Sequence, residues 1–317
     1  MLNEDAMTTV TAPMVKELRD RTGAGMGDCK NALVETGGDQ EAAVDWLRKK
    51  GVLKAASKAS RTAADGLVGV AVAGHEGAMV EVNAQTDFVA RNETFQTAVK
   101  TIALLALQTN GDIAKVAQAP YPGESVSVAE HLTNLVAKIG ENLALRRSAK
   151  LEVDQGLVAS YVHNAVTTDL GRIGVIVALE SKGDKAKLAE LGKKLAMHIA
   201  SGFPAVAMGV TEKDIPADFV AHERKIFEEQ AKEGGKPANV IEKMVEGRMR
   251  KFFEEVVLLK QIYVHDQDKK VEQVLAEAGK ELGTPVAIKA FERFVVGEGI
   301  DKGKEDFAGE VDKLMKG

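Results

Sequence analysis

The sequence predicts an α+β protein, and three observations carry that prediction. Apolar residues recur at three- and four-residue spacing near the N-terminus. Farther on, β-rich runs are followed by helical ones without strict alternation of strand and helix, which favours antiparallel sheets over a doubly wound parallel sheet. A highly charged stretch from 214 to 260 then carries only a narrow apolar stripe. The expected architecture is an N-terminal three-helix module, a core of two antiparallel-sheet α+β subdomains, a protruding antiparallel helical hairpin and a C-terminal helix.

In the first helix Thr11 can cap and Pro13 suits the first turn, while Val15 and Leu18 share one face until Thr22 and Gly23 interrupt it. A short helix follows over about 28–35 and ends at Gly37 and Gly38. Asp39 caps a third, whose buried side is Ala43, Trp46 and Leu47. The stretch 51–65, rich in Ala, Ser and Lys with weak periodicity, reads as a tether.

Residues 67–73 and 78–82 are β-rich and flank Gly74, His75, Glu76 and Gly77, the pattern of a β-hairpin. Helical patterns occupy 95–108 and 128–139, strand patterns 157–162 and 173–179, and a further helix 185–200. Gly234, Gly235, Lys236 and Pro237 then split the charged stretch into two arms. Phe219 and Ile226 mark the seam of the first arm; Ile241, Val245, Phe252 and Val256 mark the second. Each arm of about 17 residues would reach about 25 Å. Residues 271–278 read as a helix, 285–296 as a strand returning to the core, and 305–316 as a last charged helix.

The expected divisions are 8–61 for the N-terminal module and linker, 62–156 for the first core subdomain, and 157–213 with 257–297 for the second. Residues 214–256 form the hairpin insertion and 298–317 a C-terminal module.

Bulk composition narrows the function. With 42 basic and 47 acidic residues the formal charge is −5, so no global positive field gathers phosphates and nucleic acid is not an expected direct partner. A single cysteine, Cys29, forms no internal disulfide and suits a reducing compartment. The opening MLNEDAM has neither the charge pattern of a signal nor an apolar run, and no segment approaches the roughly 18 apolar residues of a membrane span. A cytoplasmic protein without membrane association is expected.

Catalytic constellations do not emerge. Val286–Lys289 spells a kinase-like lysine motif, and Asp87–Phe88 echoes a magnesium-binding segment, but their order is reversed with no catalytic loop between. Gly23, Gly25 and Gly27 lie between helices instead of after a strand, so they make no dinucleotide loop. Histidines at 75, 131, 163, 198, 222 and 265 lack metal-ligand spacing, and His198 sits among apolar neighbours as a core residue would. Neither a cofactor nor a metal is expected, and no catalytic constellation argues for an enzyme.

Six strings make the chain recognisable: VKELRDRTGAGMGDCKNAL at 15–33, EVNAQTDFVARNETF at 81–95, KIGENLALRR at 138–147, LAMHIA at 195–200, KMVEGRM at 243–249 and FVVGEGI at 294–300. In this order, across nearly the whole chain, they resemble the elongation factor Ts family. The resemblance implies that the three-helix module is ubiquitin-associated-like. It also implies a partner, elongation factor Tu, and an activity: guanine nucleotide exchange, in which GDP leaves so that GTP can load.

By the same resemblance, Thr86, Asp87, Phe88 and Val89 match the family's intrusive motif, whose aromatic ring wedges near the GTPase magnesium site. Taken alone, Phe88 would read as core and Asp87 equally as a turn or capping residue. Arg19, Met26 and Lys30 match family contacts of the N-terminal module, although charge alone leaves Arg19 and Lys30 as a solvated helix face. Gly27 departs from the pattern, standing where some relatives carry a second methionine. Ile139 and His163 match core positions facing the partner. After His163, Val166–Asp169 look like a small insertion before Arg172. The hairpin is expected to mediate self-association, as a homodimer or a two-to-two complex, or to support the core. A ubiquitin-associated-type scaffold without exchange activity is the alternative, with an uncharacterised enzyme in the α+β core as a further rival; neither accounts for the later motifs.

Overall fold

The protein is described by a computed structural model over residues 10–22, 24–233 and 237–301. The residues preceding Met7, Gly23, the hairpin turn at 234–236 and the expected helix at 305–316 lie outside the described residues.

Three helices open the chain: α1 (Ala12–Thr22), α2 (Met26–Glu35) and α3 (Gln40–Lys58). Val15, Leu18, Cys29, Ala32, Leu33 and Ala43 form their common core. Asp39 caps α3 by accepting the Ala42 amide at 3.0 Å. The expected tether is instead helical as far as Lys58. Its contact face is built of small residues: Gly51 is buried beside Ala137, and Ala55 packs against the core. A face made of Gly and Ala gives almost no hydropathy contrast, which is why periodicity failed there.

The core sheet contains β1 (Asp65–Ala73), β2 (Glu76–Ala84), β3 (Leu143–Glu152), β4 (Gly156–Thr167), β5 (Leu170–Glu180) and β8 (Ala287–Val295). A separate small hairpin pairs β6 (Ile262–Tyr263) with β7 (Asp266–Lys270). All pairings are antiparallel, in the order β3-β2-β1-β5-β4 with β8 on β5. The two expected sheets are thus one. β1 meets β5 only at Val68–Gly171 and Gly69–Leu170, after which β5 pairs with β8 from Ile173 onward.

Alternation along each strand sorts the core into three layers. Leu67 and Ala71 of β1, with Val80 and Val82 of β2, join helices α4 (Glu93–Gln108), α5 (Ile113–Gln118) and α6 (Val128–Ile139). Val175 and Val177 of β5 join α7 (Lys185–Ser201) and α10 (Val271–Leu282). Their alternates, Val68, Val70, Met79, Val158, Ile176 and Phe294, pack on one another as an inner layer between the lobes. Gly174 admits this approach: a Cβ there would lie 2.5 Å from Val68 Cγ1 and 2.7 Å from Met79 Sδ.

At the rim of the inner layer sits Glu81, fully buried. It accepts from Arg146 Nη1 at 3.1 Å, Arg147 Nε at 2.5 Å, Asn83 Nδ2 at 2.9 Å and the Gly297 amide at 2.8 Å. Glu81 pairs with Arg147 and Val82 with Leu145, so Arg146 is an extra residue in β3. That bulge aims two consecutive arginines at one carboxylate. Burial alone would raise the Glu81 pKa, but the Gly297 amide, Asn83 and Arg147 outweigh it and hold the group below its ordinary value. Strings at 81–95, 138–147 and 294–300 therefore meet in one buried ionic node.

His198 is buried on α7, as its apolar neighbours suggested. The Val264 amide donates to its Nδ1 at 3.2 Å, so Nε2 carries the proton and donates to Gln261 Oε1 at 3.0 Å. Burial depresses its pKa and favours the neutral ring.

The charged hairpin consists of α8 (Ala217–Glu233) and α9 (Ala238–Val256) around a core of its own, which includes Phe219, Phe227, Val245, Met249 and Phe252. Phe227 occupies the seam; Ile226, the residue expected there, is half-buried outside that cluster.

Candidate functional site

The intrusive segment begins where β2 ends at Ala84. Residues 85–88 turn away from the sheet, and Val89–Arg91 form one 3₁₀ turn closed by the Asn92 amide on Val89 O at 2.9 Å. Asn92 then caps α4, accepting the Phe95 amide at 3.1 Å. The connection leaves little slack, because each end is tied into regular structure.

Within this frame the two phenylalanines part company. Phe95 is completely buried in the core beneath α4, whereas Phe88 is 72% exposed. The backbone at Phe88 is unstrained, with φ −61 and ψ −36. An exposed ring of this size, held on a short rooted turn, is the arrangement of an interface anchor. Val89 points the other way, 4% exposed and packed in the same core as Phe95. Asp87 is exposed, and its carbonyl accepts the Ala90 amide at 3.2 Å. The Thr86 amide and hydroxyl both donate to Glu141, at 3.0 and 2.7 Å. Sequence reasoning did not single out Glu141; its place inside the quoted string at 138–147 was the available signal.

Glu141 follows Gly140, the left-handed cap of α6, with φ 85. Ile139, the last residue of that helix, is half-buried against the core. On the far side of α6, Arg48 of α3 pairs with Glu130 at 2.9 Å. Asn142 donates to the carbonyl of Arg61 at 2.8 Å, pinning the chain as it leaves the N-terminal module. One helix and its closing turn thus contact the intrusive segment and the N-terminal module together.

On that module Arg19, Met26 and Lys30 are all exposed, Met26 by 49%. Arg19 and Met26 line a cleft of about 1000 Å³ between the module and α6, whose other wall includes His131 and Lys138. A Cβ at Gly27 would meet nothing within 4 Å, so the missing side chain leaves open surface beside Met26.

His163 is exposed on β4, opposite Ile173, with Tyr161 Oη 3.1 Å from its Nδ1. The expected insertion after it forms no separate loop. β4 runs on to Thr167 and β5 starts at Leu170, with a register shift between Ala165 and Thr167 that leaves Val166 exposed. A second apolar group, Phe203, Val206 and Met208, lies exposed after α7 and was likewise missed. Among the described residues no group of three His, Cys, Asp or Glu side chains could hold a metal, and no helix is long and apolar enough to cross a membrane.

The sequence profile of the family described as "Elongation factor TS" matches residues 85–298, starting one residue before Thr86. "Elongation factor Ts" from Maricaulis maris is 60% identical over 306 residues, covering 96% of this chain and 98% of the relative. The protein of that name from Rhodospirillum rubrum is 57% identical over 311 residues, covering 98% and 100%. That from Rhodospirillum centenum is 54% identical over 305 residues, covering 96% and 98%. The exposed ring on its rooted turn thus stands in a chain aligned over 96–98% of its length with these relatives: the chain belongs to the elongation factor Ts family.

Proposed function

We propose that the chain is a guanine nucleotide exchange factor for elongation factor Tu in translation elongation, and that it works by binding without making or breaking bonds. Exposed Phe88, on a turn whose neighbours on both sides are buried or hydrogen-bonded, carries this reading. Such a ring can enter the GTPase near its magnesium site without the factor paying for refolding. Thr86 and Val89 root the segment, and Asp87 and Phe88 make the contact. Arg19, Met26 and Lys30, with Ile139 and His163, supply further partner contacts.

Exchange follows from linkage. If nucleotide with magnesium and the factor favour different states of the GTPase, each weakens the other's binding by the same factor. Burying one Phe side chain contributes about 1.5–3 kcal/mol, or one to two decades, so the module and core must share in a larger effect. The direct test is stopped-flow release of fluorescent GDP from elongation factor Tu with and without the protein. Acceleration supports exchange; binding indifferent to nucleotide, without acceleration, would establish the scaffold alternative.

Gly27→Met offers a separate check. The position is open, so an apolar side chain there would join Met26 on the exposed face of α2. Titration calorimetry should show roughly fivefold tighter binding to elongation factor Tu, as expected for partial burial of one methionine. Unchanged affinity would remove this face from the interface.

The organisation that goes with this function is residues 8–61 as the partner-binding module, 62–156 and 157–213 with 257–297 as the two core lobes, 214–256 as the hairpin, and 298–317 as a C-terminal module. Because α8 and α9 carry an apolar core separate from that of the sheet, we assign the hairpin to self-association or to support of a two-to-two complex. Deleting 214–256 should lower the number of chains per particle given by light scattering, alone or in complex. An unchanged number of chains per particle together with unchanged exchange would defeat this assignment.

A further inference from the structure

We propose that Glu141 is a positioning residue for nucleotide exchange: its carboxylate clamps Thr86 and so fixes where the Phe88 ring is presented. The inference rests on the exchange reading above and adds a residue that never touches the partner in this role. Four observations converge on it. Both Glu141 oxygens are engaged by one residue of the intrusive segment, through its amide at 3.0 Å and its hydroxyl at 2.7 Å. That residue is two positions before Phe88, which is itself 72% exposed and gains little placement from packing. Beyond Phe88 the chain is fixed by buried Val89 and the capped start of α4, so Thr86 is the remaining point at which the turn can pivot. Glu141 itself has a firm base, for it lies between the Gly140 cap of α6 and Asn142, which holds the Arg61 carbonyl.

The clamp consists of charge-assisted hydrogen bonds, the stronger kind, and it fixes two groups of one residue at once. Without it the turn samples other poses, and only a fraction of molecules offers the ring in the productive one. Apparent efficiency falls by that fraction even if every contact surface is intact. The N-terminal module is held to the same helix by Arg48–Glu130 and to the same turn by Asn142. Glu141 therefore sets the ring in register with the module as well as with the core.

The test is a double-mutant cycle in the full chain, read by stopped-flow release of fluorescent GDP from elongation factor Tu across subsaturating to saturating factor, so that efficiency is compared as well as the maximal rate. Wild type, Glu141→Ala, Phe88→Ala and the double variant are compared, with thermal unfolding of each. Glu141→Ala should slow release about tenfold, the scale of losing charge-assisted hydrogen bonds. In the Phe88→Ala background the same change should cost almost nothing, because no ring remains to be placed. Glu141→Gln, which keeps one acceptor, should recover part of the rate. Should Glu141→Ala unfold, Thr86→Val removes the hydroxyl bond alone and carries the same cycle. A full rate in Glu141→Ala, or a loss that multiplies with that of Phe88→Ala, would overturn the positioning role. Failure of wild type to accelerate release would instead refute the exchange reading.

Discussion

Phe88→Ala should slow catalysed GDP release from elongation factor Tu by about one to two orders of magnitude, with the unfolding midpoint unchanged. The magnitude is that of a phenylalanine transferred from water into a partner's apolar pocket, since 72% of the residue is exposed in the free chain. Stability should survive because the ring supports nothing beneath it. The turn is rooted by Val89, Asn92 and Thr86, and none of these depends on the Phe88 side chain. Measuring the maximal rate and the half-saturating concentration separately distinguishes two roles. A wedge used mainly when nucleotide leaves lowers the maximal rate, whereas a simple contact raises the half-saturating concentration. Unaltered values for both would remove Phe88 from the mechanism.

Glu81→Ala should cost about 3–5 kcal/mol of stability, because it strips a buried carboxylate from two arginines, an amide side chain and a backbone N–H. For a chain of this size that corresponds to a fall in melting temperature on the order of 10 °C. The milder Glu81→Gln variant exposes the charge through pH. Since the folded pKa lies below the ordinary 4.5, the charge stabilises fully above that value. Its contribution is lost as pH falls through the folded pKa. The stability gap between wild type and Glu81→Gln should therefore be constant near neutrality and close on acidification below about pH 4.5. A gap independent of pH down to acid unfolding would show that shape and hydrogen bonding, not charge, make the node.

Much of this protein was legible in its residues, and the parts that were not share a physical cause. β1 and β2 stood out because each is an almost continuous run of apolar and small residues and a Gly-flanked turn joins them. The hairpin arms stood out because a narrow stripe runs through charged helices. β3 did not, since its Arg-Arg-Ser-Ala-Lys run looks solvated until Glu81 is placed opposite it. The continuation of α3 was hidden by alanines and glycine, small residues that pack closely while adding little hydropathy contrast. Within the candidate site, the resemblance supplied Phe88, and the coordinates supplied its exposure. Glu141 needed three dimensions, as it clamps Thr86 from 55 residues away.

Distance along the chain also governs when the node can form. Glu81 and the Gly297 amide are separated by 216 residues. At synthesis rates of about 5–20 residues per second, the carboxylate waits roughly 10–40 s for that last partner to be made. During the wait Val68, Val70 and Met79 lack Phe294 and Val296, the final pieces of the layer they share. The first lobe can fold early on its helices. Val158 of β4 and Ile176 of β5 can cover much of its second face first, and β8 completes it. Until then Arg147 also lacks the Phe294 ring that it stacks on, so the ionic node and the apolar layer close in the same late step.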